Sequence, residues 1–487
     1  MEPTINERLL EQRFEALEAS HTWHPRVISR IESHIRTSDD KGLFRMNPVR
    51  YAEERGMTEA ESIDLFLHGT AQGLFRMDWL LLCPMCACVV ESLATLKSVG
   101  RRFHCGMCQS DYEARLDDYI AVTFTIAPDI RKIRFHAPAD MAADEYCFDY
   151  KMTADGRVPN GPPLVELMKS VTHTVTYIEP GATHRFDAES ASGVYFGWNI
   201  DAGAFFEFPI EGDPDPEPRT IAVRHTETGC EPEECVVRPG KITFELTNTT
   251  AQRCVFAVCT IPVDAVRAFL IYPPFLSGGR LIATQTFRDL FRSELVKSTE
   301  GLGVRDVTLL FTDLKGSTAL YDRIGDLNAF SLVQQHFERL LDVTVKHSGA
   351  VIKTLGDAVM ATFLTPADAV RAAIAMREEI ERFNQVRPGD DLILKIGVHH
   401  GPAIAVTLNE RLDYFGQTVN IAARVQGIAR ANEICFTRDV RDAPGVTEVL
   451  AAYHVDLDHA RLRGVDDEVT VFRVSQRQTA DTVADPS

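Results

Sequence analysis

Phe311-Thr-Asp-Leu-Lys-Gly-Ser-Thr318, which continues the apolar run Val307-Thr-Leu-Leu-Phe311, decides the fold of the C-terminal third of this 487-residue chain. A short run of that kind reads as a buried strand. The strand ends beside Asp313, and Lys315-Gly316-Ser317-Thr318 turns the chain into a helix. The free N–H groups of a helix start can hold phosphate oxygens. Leu327, Phe330, Val333, Phe337, Leu340, Leu341 and Thr344 then recur mostly three or four apart, which predicts that a long helix follows. In VIKTLGDAVMATF (351–363), two short strands flank an LGD turn, as in a hairpin. Thr365-Pro366 opens the next helix as a cap followed by a first-turn proline. The inner face of that helix is expected at Ala369, Ala373, Met376, Ile380 and Phe383. LILKIGV (392–398), AIAV (403–406) and EICF (433–436) supply later strands. The order β-α-β-β-α-β predicts an α+β, ferredoxin-like domain over 304–475.

Two aspartates mark where chemistry could sit. Asp313 ends the first strand and Asp357 lies in the hairpin turn, so one sheet could bring them together. Paired carboxylates at strand ends suit Mg²⁺, which takes a few carboxylates and leaves room for substrate phosphates. One such aspartate alone would read as a helix cap or a solvated group.

Upstream the pattern changes. Residues 283–303, ATQTFRDLFRSELVKSTEGLG, read as a linker helix and a glycine hinge. Residues 116–282 carry short alternating runs such as YIAVTFTI (119–126), THTVTYI (172–178), VYFGW (194–198) and KITFELTN (241–248). Turn clusters such as PNGPP (159–163) and EGDPDPEP (211–218) separate them, which predicts an all-β sandwich. Cys83-Pro-Met-Cys86 and Cys105-Gly-Met-Cys108 lie within 79–115, with 18 residues between Cys86 and Cys105. Two such knuckles can aim four thiolates at one ion, so a zinc ribbon with one closed, structural Zn²⁺ is expected, a redox pair being the competing reading. Cys88 and His104 are nearby alternatives as ligands. The other thiols of the β-rich region, Cys147, Cys230, Cys235, Cys254 and Cys259, read as core or surface groups. Residues 1–78 read as a helical segment, and the polar tail 476–487 as disordered.

Composition excludes some partners. The formal net charge is −19 with 25% charged residues. That balance argues against nucleic acid, which needs a basic footprint, and against an anionic membrane surface. No run of 18 apolar residues offers a membrane span, and the charged first twenty residues lack a signal-peptide core. A cytoplasmic location is expected, where spaced cysteine pairs are better metal ligands than disulfides.

FTDLKGST, VIKTLGDAVMATF, LKIGVHHGPA (394–403) and DYFGQTVNIAARV (413–425) together resemble the catalytic domain of class III adenylate/guanylate cyclases, in the family's order. The resemblance covers about 170 residues, and co-ordered motifs are far more specific than one. The upstream part looks like that of bacterial soluble cyclases with a zinc-knuckle segment. The resemblance implies conversion of ATP to 3′,5′-cyclic AMP and pyrophosphate, with two Mg²⁺ or Mn²⁺ ions at each site. Asp313 and Asp357 match the family's metal-binding aspartates, and Leu314 the position that offers a carbonyl to metal. Gly316, Ser317 and Thr318 fall in the phosphate-holding turn. Lys353 and Asp413 match the base-selecting pair, Asn420 the ribose-orienting asparagine and Arg424 the arginine that stabilises the transition state. Arg463 stands where the family has a phosphate-contacting lysine; it keeps the charge with a different donor geometry.

The chemistry of the pair agrees with adenine. Adenine has an acceptor at N1 and a donor at its 6-amino group; lysine only donates and an ionised aspartate only accepts. Guanine reverses the pattern, and guanylate cyclases of this family carry glutamate and a small residue there. Because the family's sites lie between two catalytic domains and this chain holds both residue sets in one, the resemblance implies a head-to-tail homodimer. A guanylate cyclase and a catalytically silent nucleotide-binding regulator are the alternatives. A regulatory ligand or protein acting on residues 1–282 is left open.

Overall fold

The computed structural model describes residues 5–86, 88–153, 155–262, 270–292, 294, 296, 301–387, 391–463 and 468–477; at Thr318 and 475–477 it describes the backbone alone. Two compact units divide the chain. One comprises Met1–Ala94, Gly100–Ala114 and Tyr119–Leu276; the other comprises Thr95–Val99, Arg115–Asp118 and Ser277–Ser487. Among the described residues, no helix is long and apolar enough to cross a membrane.

The first unit opens with helices α1 (Glu7–Ser20), α2 (Pro25–Thr37), α3 (Pro48–Arg55) and α4 (Glu59–Ala71). Thr58 and Glu61 close a reciprocal capping box at the start of α4, satisfying backbone donors that the helix leaves open. Strands β1 (Phe75–Leu82), β2 (Val89–Leu93) and β5 (Ile120–Ile126) form a three-stranded sheet in the order β2-β1-β5, and β3 (Arg102–Cys105) pairs with β4 (Ser110–Glu113) in a separate hairpin. The run at 119–126, grouped by its alternation with the sandwich, instead pairs with β1 from Phe75↔Ile126 to Leu81↔Ile120. All seven residues of β5 are buried, so its neighbours cover both faces.

The sandwich itself starts after the short helices α5 (Ala143–Glu145) and α6 (Leu164–Val171). Its strands are β6 (Thr172–Ile178), β7 (Thr183–Ser190), β8 (Gly193–Asn199), β9 (Phe205–Ile210), β10 (Arg219–Thr226), β11 (Gly229–Glu231), β12 (Gly240–Asn248) and β13 (Cys254–Ile261). They make two four-stranded sheets, β11-β10-β12-β7 and β6-β13-β8-β9. Tyr195, Phe206, Phe208, Phe244 and Phe256, drawn from both sheets, pack into one core. Cys147, Cys230, Cys254 and Cys259 are buried thiols, and burial pushes Cys230 and Cys259 up to about 12, as for inert core groups.

The second unit holds α7 (Gly278–Ile282), α8 (Gln285–Leu290), β14 (Leu302–Leu314), α9 (Ser317–Ile324), α10 (Asp326–Lys346), β15 (Gly349–Leu355), β16 (Ala358–Phe363) and α11 (Pro366–Gln385). After these come β17 (Leu394–Leu408), β18 (Arg411–Phe415), α12 (Gln417–Ile428), β19 (Ile434–Thr437), α13 (Arg438–Arg441), α14 (Val446–Leu450), β20 (Tyr453–Arg461) and β21 (Glu468–Arg477). The sheet order is β15-β16-β14-β17-β19-β21-β20, with β18 paired to β17 off that path. Its first four strands, read with the helices between them, have the ferredoxin-like arrangement expected.

The details depart from the sequence reading in three places. Gly303 pairs with Ile404 inside β14, so that glycine is strand rather than hinge, and the described helix within 283–303 is the six-residue α8. In α10 the buried face is Ala329, Leu332, Val333, His336, Leu340 and Thr344, while Leu327 and Phe330 are exposed. The expected inner face of α11 is buried throughout. β21 runs to Arg477, so Gln476 and Arg477 are strand; 478–487 lie outside the described residues.

Candidate active site

Antiparallel pairing of β14 with β16 brings the two aspartates to one end of the sheet. Phe311 faces Met360, and Thr312 beside Asp313 accepts the Val359 N–H at 3.1 Å. Asp357 sits in the turn between β15 and β16, after Gly356 at φ +66, a left-handed conformation that glycine adopts without strain. Burial and, next, the charge of Asp357 push the Asp313 carboxyl above its ordinary range, while Lys395 opposes the shift. Asp357 Oδ2 is buried and has no hydrogen-bond partner among the described residues. A carboxyl raised by burial and by its neighbour's charge, beside a second carboxylate with a bare buried oxygen, fits a divalent cation.

Leu314 follows Asp313 as the last residue of β14, with its side chain in the core. Gly316, at φ +79, caps α9, and Ser317 is its first residue. Thr318 lies in α9, and its side chain lies outside the described part.

Lys353 Nζ donates to Asp413 Oδ2 at 2.5 Å. Asp413 Oδ1 also accepts the Tyr414 N–H at 2.8 Å, and the Asp413 side chain is only 8% exposed. Asp413 lies opposite Val406 near the end of β17, whereas Asp313 lies opposite Lys395 near its start. Asp413 and Asp313 are thus far apart along β17, while Lys353, opposite Met360 and through it Phe311, lies on the strand that leads into the Asp357 turn.

Asn420 and Arg424 are one helical turn apart on α12, exposed and half-buried respectively. The helix reaches the sheet through Gly397: a Cβ there would lie 2.1 Å from the Gln426 backbone nitrogen. Only glycine permits that approach. Arg463 is exposed just after β20, and the neighbouring Gly464 lies outside the described residues. Sequence reasoning missed Lys395, which faces Asp313 across the sheet. Its one signal was a lone charge inside the apolar run LILKIGV.

The four cysteines meet in the first unit. Sγ atoms of Cys83, Cys86, Cys105 and Cys108 all lie within 4.8 Å of one another. Cys83 to Cys108 is 3.7 Å and Cys86 to Cys105 is 3.6 Å. Hydrogen bonds among the four thiols hold Cys83 and Cys105 below the ordinary thiol range and push Cys86 and Cys108 above it, so the sulfurs share protons as one closely packed set. This donor set suits a tetrahedral metal. Cys88 packs against the cluster while its Sγ contacts the Lys151 carbonyl, and His104 pairs with Asp111; neither is one of the four converging sulfur ligands.

Residues 302–474 match the family described as the adenylate and guanylate cyclase catalytic domain, and residues 9–289 match a family of unknown function, DUF5939. The chain thus belongs to DUF5939 through its larger N-terminal part, and its residues 302–474 are a domain of the adenylate/guanylate cyclase family. It is 29% identical over 154 residues to Adenylate cyclase 2 of Rhizobium meliloti, covering 29% of this chain and 42% of that protein. It is 30% identical over 178 residues to the pH-sensitive adenylate cyclase MT1302 of Mycobacterium tuberculosis, covering 36% and 42%. The adenylyl cyclase CyaB of P. aeruginosa aligns over 37% of this chain and 97% of its own, at 19% identity and a TM-score of 0.32. The chain spans about two-fifths of the length of the two curated relatives.

Proposed function

We propose that the chain is an adenylate cyclase that converts ATP to 3′,5′-cyclic AMP and pyrophosphate. The observation that carries this reading is the Lys353–Asp413 pair, a donor and an acceptor side by side in a half-buried position. Lys353 would donate to adenine N1 and Asp413 would accept from the 6-amino group. Guanine would leave both groups facing the wrong partner, at a cost of about 1–3 kcal/mol for each buried group left unpaired.

Asp313 and Asp357, with the Leu314 carbonyl, would hold two Mg²⁺ or Mn²⁺ ions. When bound, these ions supply charge neutralisation at the triphosphate and lower the pKa of the ribose 3′-hydroxyl. The backbone N–H groups at Gly316, Ser317 and Thr318 would orient the phosphates. The 3′-oxygen attacks the α-phosphorus, the bond to the bridging oxygen of pyrophosphate breaks, and the hydroxyl proton leaves to solvent. Asn420 would orient the ribose, while Arg424 and Arg463 would offset charge that grows on the phosphates.

The site would be completed by a second copy of the chain, with each copy giving one set. Leu355, Ile404, Leu408 and Phe415 are exposed apolar side chains on the strands that carry or flank the purine pair, as a covered surface would need. The cysteine cluster would hold one structural Zn²⁺ in a reduced, cytoplasmic setting. The deciding experiment is turnover of labelled ATP and GTP by the purified chain with Mg²⁺ or Mn²⁺. Cyclic AMP from ATP at a rate well above cyclic GTP from GTP is expected; cyclic GTP as the main product would overturn the assignment.

A further inference from the structure

Helix α8 ties together the two strands that carry the purine pair. β15 is an edge strand of the sheet, and among the described residues β18 pairs only with β17, so each has an edge of backbone groups open to other partners. α8 fills both. Gln285 Oε1 accepts the Val351 N–H at 2.8 Å, two residues before Lys353 on β15. Arg288 Nη1 donates to the Leu412 carbonyl at 2.9 Å, one residue before Asp413 on β18. Positions 285 and 288 are three apart, so both side chains project from one helical face.

The helix is itself held. Arg288 Nε donates to the Ile282 carbonyl at 2.8 Å, and its guanidinium lies 5.8 Å from the Tyr414 ring centre. Gln285 Nε2 donates to Asp289 Oδ1 at 3.1 Å, which fixes the amide so that its oxygen faces Val351. Phe287, fully buried, anchors the turn between them. A register shift lies between Val351 and Lys353, so β15 is irregular at the residue where Gln285 grips it. An irregular edge strand would otherwise leave Lys353 free to wander.

We propose that Gln285 and Arg288 are positioning residues for purine selection: α8 sets the distance between β15 and β18, and through it the geometry with which Lys353 and Asp413 meet the base. This inference rests on the adenylate cyclase reading. A helix that only anchored the chain would affect stability and leave the choice between ATP and GTP unchanged.

The test uses the full chain with Gln285→Ala, Arg288→Met and Arg288→Lys, each checked by thermal unfolding. Two readouts are taken: the ratio of kcat/KM for ATP over GTP, and hydrogen exchange of backbone amides at 349–355 and 411–415. Gln285→Ala is expected to speed exchange at Val351 and to lower the ATP-over-GTP ratio about tenfold, as one lost hydrogen bond would. Most of that loss should fall on the KM for ATP. Arg288→Met is expected to do the same at 411–415, and Arg288→Lys, which keeps a donor and the charge, to recover part of the ratio. Gln285 is half-exposed and carries the test alone should Arg288→Met fail to fold. A wild-type ratio in folded Gln285→Ala would overturn the proposal, as would unchanged exchange at Val351. If the wild-type chain makes no cyclic AMP, the adenylate cyclase reading fails separately, and the exchange data still decide whether α8 holds the two strands.

Discussion

Lys353 and Asp413, 60 positions apart in the chain, meet at 2.5 Å and satisfy each other when no base lies between them. On the adenylate cyclase reading, a purine would have to replace this charge-assisted contact with two hydrogen bonds of matching polarity. The pair would then act as a filter, because a ligand that offers only one correct bond leaves the other group unpaired.

Removing the donor should expose this filter. Lys353→Ala should lower kcat/KM for ATP by about 10- to 100-fold, the range for a buried polar group that loses its partner. Turnover of GTP should fall less. Steady-state kinetics with both nucleotides measure the change, and equal losses would show that Lys353 does not read the base.

Two variants test whether the site is shared. Asp313→Ala and Arg424→Ala should each reduce cyclic AMP formation at least about a hundredfold, in line with loss of a group that stabilises transition-state charge. Mixed in equal amounts and exchanged, the two inactive chains should regain about a quarter of wild-type activity, since half of the dimers are mixed and one of two sites in each is intact. No recovery after exchange verified by a tag pull-down would place the whole site within one chain.

Gly397 should not tolerate a side chain. An added methyl would lie 2.1 Å from the backbone nitrogen of Gln426. Gly397→Ala should cost about 1–3 kcal/mol, as overpacking does, and should lower activity by displacing Asn420 and Arg424. Thermal unfolding reads the first effect and the ATP assay the second.

Acid should destabilise the cyclase domain earlier than carboxylates alone would dictate. His399 is buried, bonds Thr437 Oγ1 at 2.8 Å, and burial lowers its pKa to about 4. An unfolded histidine binds its proton near pH 6.5, so the unfolded state takes up protons first as pH falls. The neutral imidazole's contribution is complete above about pH 6.5 and is lost progressively down to about 4, amounting to about 3 kcal/mol at the limit. Denaturation midpoints from pH 7.5 to 4.5 should fall less steeply for His399→Gln than for wild type.

The cysteine cluster predicts one metal per chain. Purified protein should carry about one Zn²⁺, and Cys105→Ser should lose it and lower the unfolding temperature of the first unit, because binding free energy at a closed thiolate site is folding free energy. Elemental analysis beside differential scanning calorimetry separates these effects. Unaltered zinc content in Cys105→Ser would remove that cysteine from the ligand set.

Legibility differed by residue. The acidic pair, the helix of Asn420 and Arg424 and the four cysteines all sit in short motifs whose spacing carries their geometry. The ferredoxin-like order was readable because strand and helix periods alternate cleanly after Val304. Leu327 and Phe330 misled, because a three-to-four spacing reports a helix without saying which face the sheet covers. The strand at 120–126 was grouped wrongly because alternation does not name its partner. Gln285 and Arg288 gave no signal at all: their partners lie 66 and 124 positions away, and both residues look like the polar side of any short helix.

Where α12 meets β17 at Gly397, main chain rests on main chain with no side chain between to compress or re-pack. The arginine on that helix thus has little travel of its own. If that arginine serves a nucleotide as proposed, its reach would be retuned by shifting strand and helix as one piece, and control over its timing would fall to rigid-body displacement.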